Sequence, residues 1–200
     1  DVNTSSLFTS TLLDISGIDW ISSDDLHFRG LAIQDNILYV ANSKKSASFI
    51  GEWECNQSNR PRAKKTNSSF ASDSGLKFLS NFTGLDSSNP GLVHPYGIRL
   101  NDDNFMYVTT QDTQALLLYD SGGSPDSKTP ANSIYPGSVA VYGPFNENGN
   151  GVRDVAIDDV NNLVFVAEEQ LQMVLCYDAS NNFTNIFNIT YGGKDAEPIG

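Results

Sequence analysis

One pattern of short apolar strands runs three times through this chain. Each copy has a polar lead, a Gly or Asp landmark, an apolar strand, an acidic turn, a second strand and a third. The first copy reads His27-Phe28-Arg29-Gly30-Leu31-Ala32-Ile33, then Leu38 to Asn42, then Ser48 to Trp53. The second reads His94-Pro95-Tyr96-Gly97-Ile98-Arg99-Leu100, then Phe105 to Thr109, then Leu116 to Asp120. The third reads Gly151-Val152-Arg153-Asp154-Val155-Ala156-Ile157, then Leu163 to Ala167, then Val174 to Asp178. A fourth opens at Glu197-Pro198-Ile199-Gly200. A repeat of this length made of strands means stacked β-units, each burying its faces on its neighbours.

The turns between first and second strands are polar: Gln34-Asp35-Asn36, Asn101 to Asn104, and Asp158 to Asn162. Asp and Asn tolerate left-handed backbone, so these segments predict tight hairpins. A calcium loop is the other reading of such clusters, but they lack the Gly and distal Glu that the 12-residue loop requires. Fourth strands are expected at Leu76 to Phe82, Ser138 to Tyr142 and Asn185 to Thr190. Four antiparallel strands per unit, repeated radially, describe a propeller blade. The units divide as residues 26–92, 93–150 and 151–196, with a fourth beginning at 197–200. Residues 1–25 hold an apolar piece, Leu7 to Ile18, that reads as an outer strand for a neighbouring blade or, alternatively, as a helical turn. The insertions Cys55 to Gly75 and Ser121 to Gly137 read as exposed loops linking third and fourth strands. No helix of useful length is expected.

The bulk properties narrow the function classes. An apolar fraction of 39% supports a real core. A net charge of -12 argues against nucleic acid and anionic membrane surfaces, which need positive potential. No apolar run approaches the length of a membrane span, so insertion is not expected. No basic-then-apolar leader opens the chain. Six Asn-x-Ser/Thr sequons occur, at Asn3, Asn56, Asn67, Asn81, Asn182 and Asn188. They fall outside the first and second strands of every unit, where a glycan could reach solvent, which favours an extracellular or lumenal protein. Cys55 and Cys176 fall in the first and third units. An intervening blade would hold them far beyond disulfide reach, so no bridge is expected.

His94-Pro95-Tyr96-Gly97-Ile98, Met106-Tyr107-Val108 and Leu118-Tyr119-Asp120 together resemble an NHL-type β-propeller repeat. The first and third copies match the same outline, although Asp154 stands where the repeat has Gly. The resemblance implies an all-β fold of four-stranded antiparallel blades, about three of them present, in a ring that usually holds about six. Three blades cannot close a ring. The chain therefore reads as part of a longer propeller, with pairing of two chains as the second solution.

In such a ring the leads of successive units converge on one channel mouth. His27 and His94 both stand three residues before their landmark, with Glu197 as the counterpart in the fourth unit. Imidazole and carboxylate in that arrangement could hold a divalent metal. Among propellers with this resemblance, peptide-amidating lyases place His around zinc, and gluconolactonase-like enzymes place Glu, Asn and Asp around calcium. Neither full ligand set is matched here. The plainer reading makes both histidines turn residues at blade starts. Arg29, Tyr96 and Arg153 stand one residue before the landmarks. They could form a basic rim for an anionic ligand, or the arginines could pair with Asp154 or a neighbouring blade's carboxylate. The basic run Arg60-Pro61-Arg62-Ala63-Lys64-Lys65 would be a docking segment or a solvated loop tip. No nucleophile elbow, phosphate loop or paired-Cys metal motif occurs. The expected role is a binding or scaffold module for a protein or small ligand. The alternative is a hydrolase or lyase with zinc or calcium in the channel.

Overall fold

The structure is a computed structural model that describes residues 23–55, 76–83, 92–103, 105–120, 151–181 and 183–190. The described residues are all-β and form three antiparallel sheets. Sheet 1 takes β1 (Phe28–Gln34), β2 (Ile37–Asn42), β3 (Phe49–Cys55) and β4 (Leu76–Thr83) in sequence order. Sheet 2 takes β5 (Pro95–Leu100), β6 (Phe105–Thr110) and β7 (Ala115–Asp120). Sheet 3 takes β8 (Val152–Asp158), β9 (Leu163–Glu168), β10 (Met173–Asp178) and β11 (Thr184–Thr190). Helix among the described residues is limited to 3-10 turns such as Lys45–Ala47, and none is long and apolar enough to cross a membrane. The expected fourth strand at Ser138 to Tyr142, the segment before Ser23, both long insertions and Glu197 lie outside the described residues.

Local chemistry sets the strand ends. Asp35 and Asn36 both adopt positive φ, 49° and 66°, the backbone of a two-residue hairpin whose twist matches its strands. Asn162 does likewise at 55° before β9. Glu-free polar turns of this kind let Gln34 pair with Ile37 directly across the hairpin.

The sheets stack through faces that alternate along each strand. In sheet 2, Met106, Val108, Leu117 and Tyr119 join Tyr39, Ala41 and Ile50 of sheet 1 in one buried cluster. The intervening residues Tyr107 and Leu116 point the other way and join Val155, Val166, Leu175 and Tyr177 of sheet 3. Burial on both faces explains why β6 and β7 read as continuous apolar runs rather than alternating ones. The first strands sit side by side, β1 against β5 and β5 against β8.

That close approach accounts for the landmark glycine. A Cβ on Gly30 would lie 2.2 Å from the Tyr96 carbonyl oxygen of the next first strand. Only a residue without a side chain lets the two backbones meet there.

Candidate functional site on the first strands

Each first strand carries an irregularity at the same register position. It falls between Phe28 and Gly30 in β1, between Pro95 and Ile98 in β5, and between Val152 and Val155 in β8. Bulges at a strand end re-aim the side chain they contain. The residues left out of the ladder are Arg29 in β1, Tyr96 and Gly97 in β5, and Arg153 and Asp154 in β8, and the three expected from the sequence to form a rim are brought together.

They meet as a stack. The Arg29 guanidinium carbon lies 5.3 Å from the Tyr96 ring centre, and that of Arg153 lies 4.8 Å from it. Two cations therefore share one aromatic ring, each within the range of favourable cation–π attraction. They line a cleft of about 370 Å³ together with Gly30, Gly97, Arg99 and Asp154. Leu31 completes the lining, which thus holds the Asp154 carboxylate beside three guanidinium groups and the Tyr96 phenol.

The supporting bonds differ between the arginines. Arg29 is exposed, and its Nη2 donates to His27 Nε2 at 3.2 Å. Arg153 is mostly buried, and its Nη2 pairs with Glu169 Oε2. Arg153 Nη1 is buried and makes no hydrogen bond. A buried guanidinium nitrogen without an acceptor is an unmet demand for a carboxylate, phosphate or carbonyl oxygen. The pairing expected between Arg153 and Asp154, or a neighbouring sheet's carboxylate, is not what forms. Glu169 belongs to the same sheet, following directly on β9. Asp154 instead accepts from Arg99 Nη2 of sheet 2 at 3.0 Å.

The landmark residues of β5 and β8 are bonded differently. A bulge strips a backbone N–H of its ladder partner, and that donor needs an acceptor. In β5 the Gly97 N–H donates to Thr109 Oγ1 at 2.8 Å, and the same hydroxyl donates to the Arg153 carbonyl at 2.8 Å. In β8 the counterpart of Gly97 is Asp154, whose Oδ1 accepts from the next N–H, that of Val155, at 2.9 Å.

The two histidines occupy equivalent places but do different work. Their carbonyls accept from Ser43 N–H at 2.8 Å and Gln111 N–H at 3.0 Å, as the Gly151 carbonyl does from Glu169 N–H at 2.8 Å. His27, His94 and Gly151 are thus true counterparts, as their spacing predicts. His94 adopts positive φ, 57°, and its N–H donates to Ser48 Oγ of sheet 1 at 2.9 Å. Its ring leans over Tyr96 with centres 5.4 Å apart and pairs through Nδ1 with Asp112 Oδ1 at 3.0 Å. Lys45 Nζ reaches the other Asp112 oxygen at 2.6 Å. Burial opposes ionisation of Asp112, but the hydrogen bonds from Lys45 and His94 outweigh it and hold the carboxyl below its ordinary range. Asp112 lies in a polar turn, where only its three-dimensional partners mark it out.

His27 and His94 keep these separate partners. No group of three or more His, Cys, Asp or Glu side chains converges among the described residues, and Glu197 lies outside them. Of the sequons, Asn188 is exposed on β11 and Asn81 half-buried on β4, while Asn3, Asn56, Asn67 and Asn182 lie outside the described residues. Cys55 and Cys176 are free thiols.

No protein-family model matches the chain. No curated protein matches it either. Among solved structures it is similar to the computationally designed Ika8 protein, at TM-score 0.48 and 12% identity over 86% of this chain and 38% of that one. The designed Ika4 protein gives TM-score 0.47 and 12% identity, over 86% of this chain and 76% of that one. Hsv2 of Kluyveromyces lactis gives 0.45 and 11%, over 83% of this chain and 38% of that one. The chain thus spans well under half the length of Ika8 and Hsv2.

Proposed function

We propose that the three sheets are consecutive blades of an NHL-like β-propeller of about six blades, and that the chain is a binding module of the extracellular or lumenal space. Its ligand is an anionic group, on a protein segment or a small molecule, that enters the cleft between Arg29, Tyr96 and Arg153. The observation that carries this reading is the buried Arg153 Nη1, which lacks an acceptor and lies in a stack of two guanidinium groups on one ring. A fork of N–H donors on a partly buried arginine suits a carboxylate oxygen pair. Tyr96 adds an apolar face beside the charge, so a carboxylate next to a flat or aliphatic group would gain from both.

The test uses a blocked dipeptide with a free carboxylate and the same dipeptide as its amide. Each is titrated into the nitrogen-15-labelled chain while the arginine side-chain resonances are followed. Saturable shifts at Arg153 and Arg29 with the carboxylate only, weakened by added salt, are expected. Arg153→Gln should weaken binding about tenfold or more, as loss of a charged hydrogen bond does. Equal responses to the two peptides, or shifts confined to other residues, would sink the reading.

A further inference from the structure

The groove between β1 and β5 continues beyond the arginine cleft. A second cleft of about 410 Å³ follows it, and Leu31 and Arg99 line both. Arg99 is already paired with Asp154, so the free chemistry of the groove lies at its two ends. At the near end it is the buried Arg153 Nη1, a donor without an acceptor.

The far end has the opposite chemistry. Gln34, Asn101 and Asp102 line it. Gln34 Nε2 donates to the Asn101 carbonyl at 3.3 Å, while Gln34 Oε1 is buried and makes no hydrogen bond. The amide cannot reverse to relieve this, because its oxygen would then face the Asn101 oxygen. A buried acceptor in that position calls for an N–H donor. Asp102 is exposed, and its own N–H donates to Asp159 Oδ2 at 3.3 Å, which brings a second carboxylate to the same rim. Gln34 stands at the end of β1, five residues after Arg29. At strand spacing that separates the two ends by about 17 Å.

We infer that the ligand of this groove is an extended peptide of about four or five residues, its free C-terminal carboxylate on Arg153 and its N-terminal ammonium on Gln34 and Asp102. This rests on the carboxylate reading of the arginine cleft and adds the ligand's length, direction and second end. A peptide joins an anion to an N–H-rich cation through a chain of the required reach. Each of its ends meets the group that the groove leaves unpaired: the carboxylate meets a guanidinium donor, and the ammonium meets an amide oxygen beside two carboxylates.

Titration calorimetry on the full chain compares the blocked dipeptide carboxylate with a pentapeptide of alternating glycine and alanine whose ends are both free. The pentapeptide should bind about tenfold more tightly, the gain of one added charged hydrogen bond. Acetylating its N-terminus should remove most of that gain, and amidating its C-terminus should abolish binding. Gln34→Leu should lower the pentapeptide's affinity toward that of the dipeptide and leave the dipeptide's unchanged. Asp102→Asn, at an exposed position, should act in the same direction without disturbing the packing. Unchanged dipeptide binding also shows that both variants are folded. Equal affinities for the free and acetylated pentapeptides overturn the inference, as does a pentapeptide gain that survives both substitutions. In either case a dipeptide that still binds through its carboxylate leaves the reading of the arginine cleft standing. A wild-type chain that binds neither carboxylate probe overturns both.

Discussion

The space that Gly97 leaves is filled by Asp154. A Cβ on Gly97 would lie 2.3 Å from Asp154 Oδ1, 2.7 Å from its Cα and 2.9 Å from Thr109 Oγ1. The carboxylate could swing aside, but the Cα belongs to the neighbouring first strand and could move only with its backbone. Gly97→Ala should therefore destabilise the chain by about 1–3 kcal/mol, the usual range for overpacking. A urea titration should show a lower midpoint with an unchanged slope. A midpoint equal to wild type would mean that the two first strands are not in contact at this position.

Asp112 links two sheets through a histidine and a lysine, and the two partners are unequal. Lys45 is 74% exposed, while His94 and Asp112 are 22% and 14% exposed. An exposed lysine contributes little after solvent screening, so Lys45→Ala should change stability by no more than about 0.5 kcal/mol. Asp112→Asn leaves His94 without its carboxylate and should cost about 1–3 kcal/mol at neutral pH. The pH dependence has a definite sign. The folded carboxyl titrates below its ordinary value of 3.8, so its stabilisation is present above that value and is lost as pH falls through the folded value. Acid unfolding of Asp112→Asn should lack this component. A parallel acid limb in the two proteins would show that the carboxylate has no net partner in the fold.

Much of the fold is legible because strand and turn chemistry are local. Asp35-Asn36 can close a two-residue hairpin without help from the rest of the chain, and β1 and β2 follow within a residue or two of their expected ends. The placing of Arg29, Tyr96 and Arg153 at one register position is legible for a related reason, since a repeat carries equivalent residues to equivalent places. What they bond to is not. Arg153 turns to Glu169 rather than Asp154 because the bulge spends the Asp154 carboxylate on Val155 N–H and Arg99, a choice made by the approach of two sheets. Asp112 escapes notice for the same reason, as both of its partners come from other turns.

The two cysteines should differ sharply toward a thiol reagent. Cys55 is half-buried at the end of β3, while Cys176 is buried in β10. Burial, with a further contribution from the Asp178 carboxylate, pushes the Cys176 thiol up. Thiolate is the reactive form, so Cys176 is slowed both by access and by ionisation. A mildly alkaline solution of the native chain should label Cys55 first, with Cys176 reacting only as the chain unfolds in denaturant. Mass spectrometry of the digested product checks the order. Equal rates without denaturant would show that β10 opens to solvent in the native state.

Glu168 is one buried acid among the described residues, and its removal should help. It closes β9 at 1% exposure, where its Oε2 accepts from Leu171 N–H. Burial raises its pKa, and the Leu171 bond and the Arg153 charge pull it down only in part. The folded chain therefore holds this proton more tightly than the unfolded chain. The resulting stabilisation is present below the unfolded value of about 4.5 and is lost as pH rises through the raised folded value. Glutamine keeps a carbonyl oxygen for Leu171 N–H and carries no charge to desolvate. Glu168→Gln should thus match or exceed wild-type stability at neutral pH, and its advantage should shrink as the solution is acidified and wild-type Glu168 is protonated. Urea midpoints at neutral and acidic pH measure both. If the variant is weaker than wild type at neutrality by about 1 kcal/mol or more, the charged bond to Leu171 outweighs the desolvation of the carboxylate.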